Sequence, residues 1–297
     1  MTTPDECVES RDISFRYLVI EAINNLINPT PIKQTPSCAV YERREASPLG
    51  RYALMAVALV LGSLLLSFGS IWYQYIGLSI AGFATPILFL IWMVRNDRYE
   101  AEPLPFILYT FGWGAFSSIF AGILNTYMFI PMFGLPGAAF VEEPLKILGV
   151  SWLAMHRIHE AELNDHLDGM IYGAAVGAGF AGMENFYYIF TGIQDPSVSV
   201  LTAIALRSAA SLNHIVWSAL AGRSIGLAEV LRGYSKRSDI LPGLIVAIPL
   251  HFLWNYSNPL VALFILLPFN LWTLVQIVRT AQRDEKNWGY QTEAPVE

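Results

Sequence analysis

Hydrophobic runs of about 20 residues, separated by short polar stretches, recur along the chain after Arg51. A run of that length, wound as an α-helix, spans the hydrocarbon core of a bilayer. We therefore predict an all-α, polytopic transmembrane helical bundle of about eight spans. The first two spans share a nearly continuous hydrophobic run, which we divide at Gly69-Ser70. The predicted spans are residues 52–70, 73–94, 104–124, 138–155, 169–190, 199–221, 240–256 and 259–279.

Basic residues indicate the orientation, because Lys and Arg are enriched in short cytoplasmic loops. They flank the start of the first span and follow spans two, four, six and eight, whereas the loops after spans one, three, five and seven contain neither. This alternation predicts that both termini are cytoplasmic, and it supports an even number of spans. The basic residues are Arg43, Arg44, Arg51, Arg95, Arg98, Arg157, Arg223, Arg232, Lys236, Arg237, Arg279, Arg283 and Lys286.

The spans divide the chain into three parts. We predict a cytoplasmic N-terminal arm over residues 1–51, a transmembrane domain over 52–280 and a cytoplasmic tail over 281–297. Five apolar residues of the arm recur at helical spacing before a Pro-rich stretch, which is compatible with a short amphipathic helix or with a loosely ordered tail. We favour the tail. The five residues are Ile13, Tyr17, Ile20, Ile23 and Ile27.

Composition agrees with a membrane protein. The chain is 54% hydrophobic and only 14% charged, whereas soluble domains carry about a quarter charged residues. The net charge of −6 gives no indication of nucleic-acid binding. Cys7 and Cys38 both precede the first span outside any Cys-x-x-Cys pattern, so we expect neither a disulfide framework nor a cysteine metal cluster. The acidic, polar N-terminus predicts no cleavable signal peptide.

The fourth predicted span contains an unusual charged segment, Val-Glu-Glu-Pro-Leu-Lys, at residues 141–146. A charged side chain near the bilayer centre costs about 2.5–3.5 kcal/mol on insertion scales. On a helix Lys146 lies one turn from both Glu142 and Glu143, so its ammonium can neutralise one carboxylate while the second carboxylate stays unpaired. Pro144 opens the helical hydrogen-bond ladder beside the two acids. A buried ion pair that fixes packing is the simpler interpretation, but two adjacent carboxylates with a lysine favour a functional site.

The fifth span is rich in small residues. Gly169, Gly173 and Gly177 recur every four residues, a spacing that lets helix backbones approach closely. We therefore expect span five to lie at the centre of the bundle. Its polar residues, Glu184 and Asn185, should then face inward.

Further polar groups lie at comparable depths in other spans. A rise of 1.5 Å per residue places the ionisable ones about 12 to 22 Å from the cytoplasmic ends of their helices, so they could converge in one cavity in the middle to outer half of the bilayer. Taken singly, each histidine or asparagine could be a packing residue, and Arg207 could neutralise Glu184 or extend outward. Together, three Glu and two His supply what hydrolysis needs, a base or metal ligands and oxyanion donors, but they would also serve a proton or cation pathway. The groups are Glu142, Glu143, Glu184, Arg207, Asn213, His214, His251 and Asn255.

Several of these segments, in this order, resemble the PrsW-type intramembrane proteases, which are similar to CAAX prenyl endopeptidases and related membrane-embedded proteases. The resemblance runs from residue 97 to about residue 256. Each segment alone is a weak signal, whereas their order and topology together are specific. The segments are 97–103 (Asp-Arg-Tyr-Glu-Ala-Glu-Pro), 140–146 (Phe-Val-Glu-Glu-Pro-Leu-Lys), 168–173 (Asp-Gly-Met-Ile-Tyr-Gly), 179–185 (Gly-Phe-Ala-Gly-Met-Glu-Asn), His214 and 250–255 (Leu-His-Phe-Leu-Trp-Asn).

The resemblance implies proteolysis of a membrane-tethered substrate within or at the edge of the bilayer. The best-known members cleave a single-span anti-sigma factor in regulated proteolysis, so a multi-pass protein of the inner (plasma) membrane is expected, with the substrate and the lipid bilayer as partners and no nucleic acid. Glu142 and Glu143 are the expected essential acids and His251 the expected essential histidine. Glu184 and His214 are expected as further ligands or water-orienting groups.

These expectations combine into one hypothesis for the site. One glutamate of the pair acts as general base and the other pairs with Lys146. His251 and His214, helped by Asn255, bind a metal or stabilise the tetrahedral oxyanion. Asp168 organises the cytoplasmic mouth, and the Gly/Pro-rich residues 131–144 form a gate for the substrate.

The cofactor and the class of function leave alternatives. A divalent metal, Zn²⁺ first, would be held by Glu143, Glu184, His214 and His251, although Zn²⁺ more usually takes two or three His or Cys ligands. A metal-free glutamate mechanism is the other possibility. The alternative functions are a proton- or cation-coupled transporter that uses the same buried groups, and a catalytically silent scaffold that binds membrane proteins through the arm.

Overall fold

The computed structural model describes residues 13–29, 48–68, 70–98, 101–155, 163, 165–192, 199–232 and 234–287, and within them it contains helices and no strands. Short π-helical turns follow α4 and α10, and 3₁₀ turns precede α6 and α9. The helices are α1 (Phe15–Asn24), α2 (Leu49–Ser67), α3 (Ile71–Asn96), α4 (Leu104–Leu124), α5 (Ile130–Phe133), α6 (Ala139–Ala154), α7 (His166–Gly192), α8 (Val200–Arg232), α9 (Ile240–Tyr256), α10 (Pro259–Val261) and α11 (Leu267–Asn287).

The helices form a polytopic bundle, as the hydrophobic runs predict. Within the described ranges, four helical segments are long and apolar enough to cross a membrane, and Leu49–Leu65 is a shorter apolar helix. Neighbouring helices cover much of α6, α7 and α8, so these need less lipid-facing hydrophobic surface. The number of eight spans stays a prediction. The four segments are Trp72–Asn96, Leu104–Phe133, Arg237–Tyr256 and Pro259–Glu285.

Helix α7 lies at the centre of the bundle, because its glycines allow the backbone of α8 to approach closely. Every residue from His166 to Gly182 is buried. A Cβ atom at Gly173 would lie 2.2 Å from the carbonyl oxygen of Ser218, and one at Gly177 would lie 2.6 Å from that of His214. Any larger residue would push the two helices apart. The predicted central position of span five is confirmed.

Helix α4 packs against α7 and α6 in the same close manner. A Cβ atom at Gly179 would lie 1.9 Å from the carbonyl oxygen of Phe111. On α6, Gly149 leaves room for the indole of Trp113, whose Nε1 donates a hydrogen bond to the carbonyl of Leu145 at 2.9 Å. These contacts bring the charged segment of α6 to the side of α7.

The third predicted span is longer than expected. Helix α4, the π-helical turn Asn125–Phe129 and α5 form one helical segment that continues to Phe133. It ends at Gly134, whose φ of 72° lies in the left-handed region that glycine adopts without strain. The chain then reverses through the 3₁₀ turn Leu135–Ala138 into α6. Residues 130–139 therefore form a tight helical hairpin directly before the charged segment, within the predicted gate region 131–144.

The N-terminal arm contains a docked helix. Leu18 of α1 is buried against Leu227, Ala228 and Leu231 of α8, and the Thr273 hydroxyl donates to the carbonyl of Leu26 at 3.0 Å. The favoured interpretation as a loosely ordered tail is therefore wrong for residues 15–24, because the bundle supplies an apolar partner for Leu18.

Other parts of the arm and tail are only partly described. Residues 1–12 and 30–47, with both cysteines, and residues 288–297 lie outside the described residues. The first part of the predicted tail continues α11 to Asn287, where the carboxylates of Asp284 and Glu285 are buried.

Candidate functional site

Six ionisable side chains from four helices meet inside the bundle. The glycine contacts explain part of this arrangement, because Glu184 lies two turns beyond Gly177 and therefore on the face of α7 that contacts α8. Helix α6 places its three charged residues on neighbouring turns, and α8 and α9 each contribute one imidazole. The six are Glu142, Glu143, Lys146, Glu184, His214 and His251.

Glu143 holds two cationic or proton-donating groups through one oxygen. Its Oε1 lies 2.6 Å from Lys146 Nζ and 2.7 Å from His251 Nδ1, and both Glu143 and Lys146 are 1% exposed. A carboxylate paired with an ammonium accepts hydrogen bonds, so the proton of His251 is on Nδ1 and its Nε2 carries the lone pair. Nε2 lies 3.8 Å from Glu142 Oε2. Glu143 thus orients His251 toward Glu142.

His214 is held on both sides. Its Nδ1 lies 2.9 Å from Lys146 Nζ, and its Nε2 lies 2.8 Å from Glu184 Oε2. Because an ammonium only donates hydrogen bonds, Nδ1 is the acceptor and Nε2–H donates to Glu184. A metal that binds His214 through Nδ1 would therefore take the place of the Lys146 contact.

Glu184 connects this network to the less buried side of the bundle. Arg207 donates to Glu184 at 2.5 Å and to the side-chain carbonyl of Asn185 at 3.1 Å. The amide of Asn185 donates in turn to the backbone of Gly82 on α3 at 2.9 Å. Arg207 is 20% exposed and Glu184 17% exposed. Of the two interpretations of Arg207, the structure supports neutralisation of Glu184.

Trp217 fixes the plane of the His251 ring. The two rings are stacked with centroids 4.4 Å apart and an interplanar angle of 17°, while the His214 ring meets the same indole edge-on at 5.4 Å. Trp217 is completely buried. The contact with both imidazoles makes Trp217 part of the wall of the site.

Glu142 has a different environment from Glu143. Its Oε1 accepts a hydrogen bond from Asn125 Nδ2 at 2.9 Å, while its Oε2, although the side chain is only 4% exposed, has no hydrogen-bond partner among the described residues. A buried carboxylate oxygen without a partner is expensive and rare. It indicates that a further group, an ion or a water, belongs at this place.

The ligand atoms of Glu142, His214 and His251 lie within 4.8 Å of one another, and across the described residues they form the group that could hold a metal ion. One carboxylate and two imidazoles are a known ligand set of catalytic zinc. The Glu143–His251 hydrogen bond is also the carboxylate contact that orients metal-binding histidines. A divalent ion therefore fits this group.

The structure groups the ligand atoms differently from the predicted set. Glu143 contacts His251 and pairs with Lys146. Glu184 contacts His214 and pairs with Arg207. Glu142 takes their place beside the histidines. The pattern of the chain did not distinguish these roles, because all three glutamates lie at similar depth.

Two predicted residues lie apart from the six. Asn255 is half-buried and donates to the carbonyl of Leu135 at 3.4 Å, so it ties α9 to the 3₁₀ turn before α6. Asp168 belongs to a separate buried polar cluster at the start of α7, where its Oδ2 accepts from the backbone N–H of Asp165 at 2.8 Å. It lies 16 residues before Glu184, about 24 Å along the helix.

Sequence reasoning missed Asn125. It lies directly after the predicted end of the third span, where a single amide reads as a loop residue. The signal that could have identified it is the hydrophobic stretch that continues on both sides of it, because a buried amide in such a stretch needs a partner.

Comparison with known proteins agrees with this geometry. The family model described as "PrsW family intramembrane metalloprotease" matches residues 102–281, more than half of the chain, and this segment contains all six ionisable residues. No solved structure matches the chain.

Three of the relatives named Protease PrsW show the extent of the similarity. The protein from Geobacillus kaustophilus is 30% identical over 172 residues, which cover 54% of this chain and 73% of that protein. The Clostridioides difficile protein is 29% identical over 183 residues (58% and 75%), and the Bacillus subtilis protein is 26% identical over 211 residues (64% and 87%). With the family model, these relatives show that the chain belongs to the PrsW family of intramembrane metalloproteases.

Proposed function

We propose that this membrane protease hydrolyses a peptide bond of a single-span, anti-sigma-factor-like protein in the inner (plasma) membrane. Its family membership supports hydrolysis over the transporter and scaffold alternatives. The observation that carries the proposal is the convergence of Glu142, His214 and His251, in which Glu142 Oε2 has no hydrogen-bond partner among the described residues.

We assign to Glu142 the role of activating the water that attacks the peptide bond. Glu143 already holds Lys146 and His251, so it supports the site by orienting His251 and by balancing the charge of the ammonium. Oε2 of both glutamates has no hydrogen-bond partner in the described part of the chain, but that of Glu142 lies 3.8 Å from His251 Nε2, in the group that could hold a metal ion. As a metal ligand it would hold the ion beside the water, and in a metal-free reaction Oε2 would accept the proton that the water loses.

Glu142, His214 and His251 would hold a divalent metal, with zinc as the first candidate. A bound divalent ion supplies Lewis acidity and activates water for attack on a carbonyl. Lys146 stays paired with Glu143, 2.6 Å away, so its ammonium would also place positive charge beside the developing oxyanion. Trp217 and the surrounding apolar side chains exclude bulk water from the histidines.

The position of the site supports cleavage in the extracytoplasmic half of the bilayer. Glu142 lies in the first turn of α6, and His251 lies five residues before the end of α9, so both are about 5 to 8 Å from the same end of the bundle. The basic residues assign that end to the extracytoplasmic side. The hairpin at Gly134, bordered by Phe133 and Phe140, lies next to this end and is the candidate gate through which a substrate helix enters and unwinds.

Cleavage of a single-span reporter by the purified protein tests the proposal. E142Q should lower kcat by about 10²–10⁴-fold, the usual contribution of a group that acts on the reacting water, and E143Q should also lose activity through His251. E229Q is the matched control, because Glu229 is buried at the far end of α8 and contacts Ser235. It should retain full activity. Cleavage at the wild-type rate by both E142Q and E143Q would exclude this site.

A further inference from the structure

We propose that Asn125 is a positioning residue that orients Glu142 toward the two histidines. This inference rests on the proposed function of the site and adds a residue from α4, a helix that contributes none of the six ionisable groups. Asn125 Nδ2 donates to Glu142 Oε1 at 2.9 Å, and both side chains are buried. With Oε1 held by the amide, the second oxygen faces His251 Nε2 at 3.8 Å.

The backbone around Asn125 is specialised. Asn125 is the first residue of the π-helical turn Asn125–Phe129, and π-helical turns occur often at functional sites because the extra residue re-aims nearby side chains. The hairpin closes tightly over this turn, since a Cβ atom at Gly137 would lie 2.9 Å from the carbonyl oxygen of Phe129. The far end of the turn that begins at Asn125 is therefore held by close backbone packing.

The chemistry of an amide suits this role. A neutral donor fixes the orientation of Glu142 without neutralising its charge, whereas Lys146 pairs directly with the charge of Glu143. Among the described residues, the lysine and arginine of this network pair with Glu143 and Glu184, so a divalent cation would supply the positive partner of Glu142. The side-chain oxygen of Asn125 is itself buried and has no partner in the described part of the chain.

Zinc affinity of the metal-depleted protein, measured by competition with a chromogenic chelator, tests the inference directly. N125L keeps the size of the side chain and removes the donor, and it should weaken zinc binding about 10–100-fold, the usual effect of losing a partner of a metal ligand. N125Q keeps a donor and should weaken binding less. The control is N270L, because Asn270 donates to Asn213 at 2.7 Å in a buried pair that includes none of the six ionisable residues.

N270L should change zinc affinity less than twofold, while both leucine variants lower the thermal stability of the metal-free protein. Zinc affinity of N125L within twofold of wild type, an equal loss in N270L, or absence of zinc binding by the wild type would each overturn the positioning role. Cleavage of the reporter is measured separately. Normal zinc binding without cleavage by the wild type would refute the proposed function and leave the role of Asn125 toward Glu142 intact.

Discussion

The Lys146–Glu143 ion pair gives the sharpest quantitative prediction. The two charged atoms lie 2.6 Å apart, and both side chains are 1% exposed. At an effective dielectric constant of about 20, their attraction is about 6 kcal/mol, and desolvation of both groups offsets a large part of it. Removal of one partner leaves the other charge buried. K146M should therefore lower the free energy of unfolding by about 3–5 kcal/mol.

A double-mutant cycle separates the pair from the packing of the lysine chain. E143Q alone should also be destabilised, but the K146M/E143Q double variant should be more stable than the sum of the two single changes predicts. We expect a coupling energy of about 2–4 kcal/mol, obtained from reversible unfolding in mixed detergent–SDS micelles. K236M serves as a control at an exposed lysine and should change stability by less than about 0.5 kcal/mol. A coupling energy below about 0.5 kcal/mol would refute the ion pair as a stabilising contact.

Two further predictions concern the metal and the helix contact behind it. Dialysis of the wild-type protein against a chelator should abolish cleavage, and added zinc should restore it. H251A should bind zinc at least 10-fold more weakly, and zinc should not restore its cleavage activity. Full activity of the wild type after metal removal would favour Glu142 as a metal-free base. G177A should destabilise the protein by about 1–3 kcal/mol and slow cleavage, because its Cβ would lie 2.6 Å from the His214 carbonyl. G62A should neither destabilise the protein nor slow cleavage, because a Cβ at Gly62 meets nothing within 4 Å. Equal thermal stability of the two alanine variants would contradict the contact at Gly177.

The two adjacent glutamates show how one helix supplies carboxylates for different tasks. Glu143 shares one oxygen between Lys146 and His251, whereas the hydrogen bond that Glu142 accepts among the described residues comes from the neutral amide of Asn125. Neighbouring positions on a helix point about 100° apart. Adjacent residues therefore face different helices, so the pair can combine a structural ion pair with a group that stays available for chemistry.

The amino-acid sequence by itself determined the membrane-spanning architecture and the chemical inventory of the site. Hydrophobic length predicts helices because unpaired backbone groups are too costly in lipid. The spacing of Lys146 from the two glutamates places these groups together on one helix, and the glycines at 173 and 177 predict the central helix because only small residues let backbones touch. These are local or one-dimensional properties, so they can be read without the fold.

Only the tertiary structure decided which groups pair. Local spacing allows Lys146 to reach Glu142 or Glu143, and it is His251 and His214, arriving from α9 and α8, that complete the network around Glu143 and Lys146. The contact of Asn125 with Glu142 depends on the π-helical turn and the hairpin that follows it, which no periodicity in the sequence reveals. The rotation of each helix about its axis is set by packing against several others at once. The division of labour between the two glutamates is therefore a property of the assembled bundle.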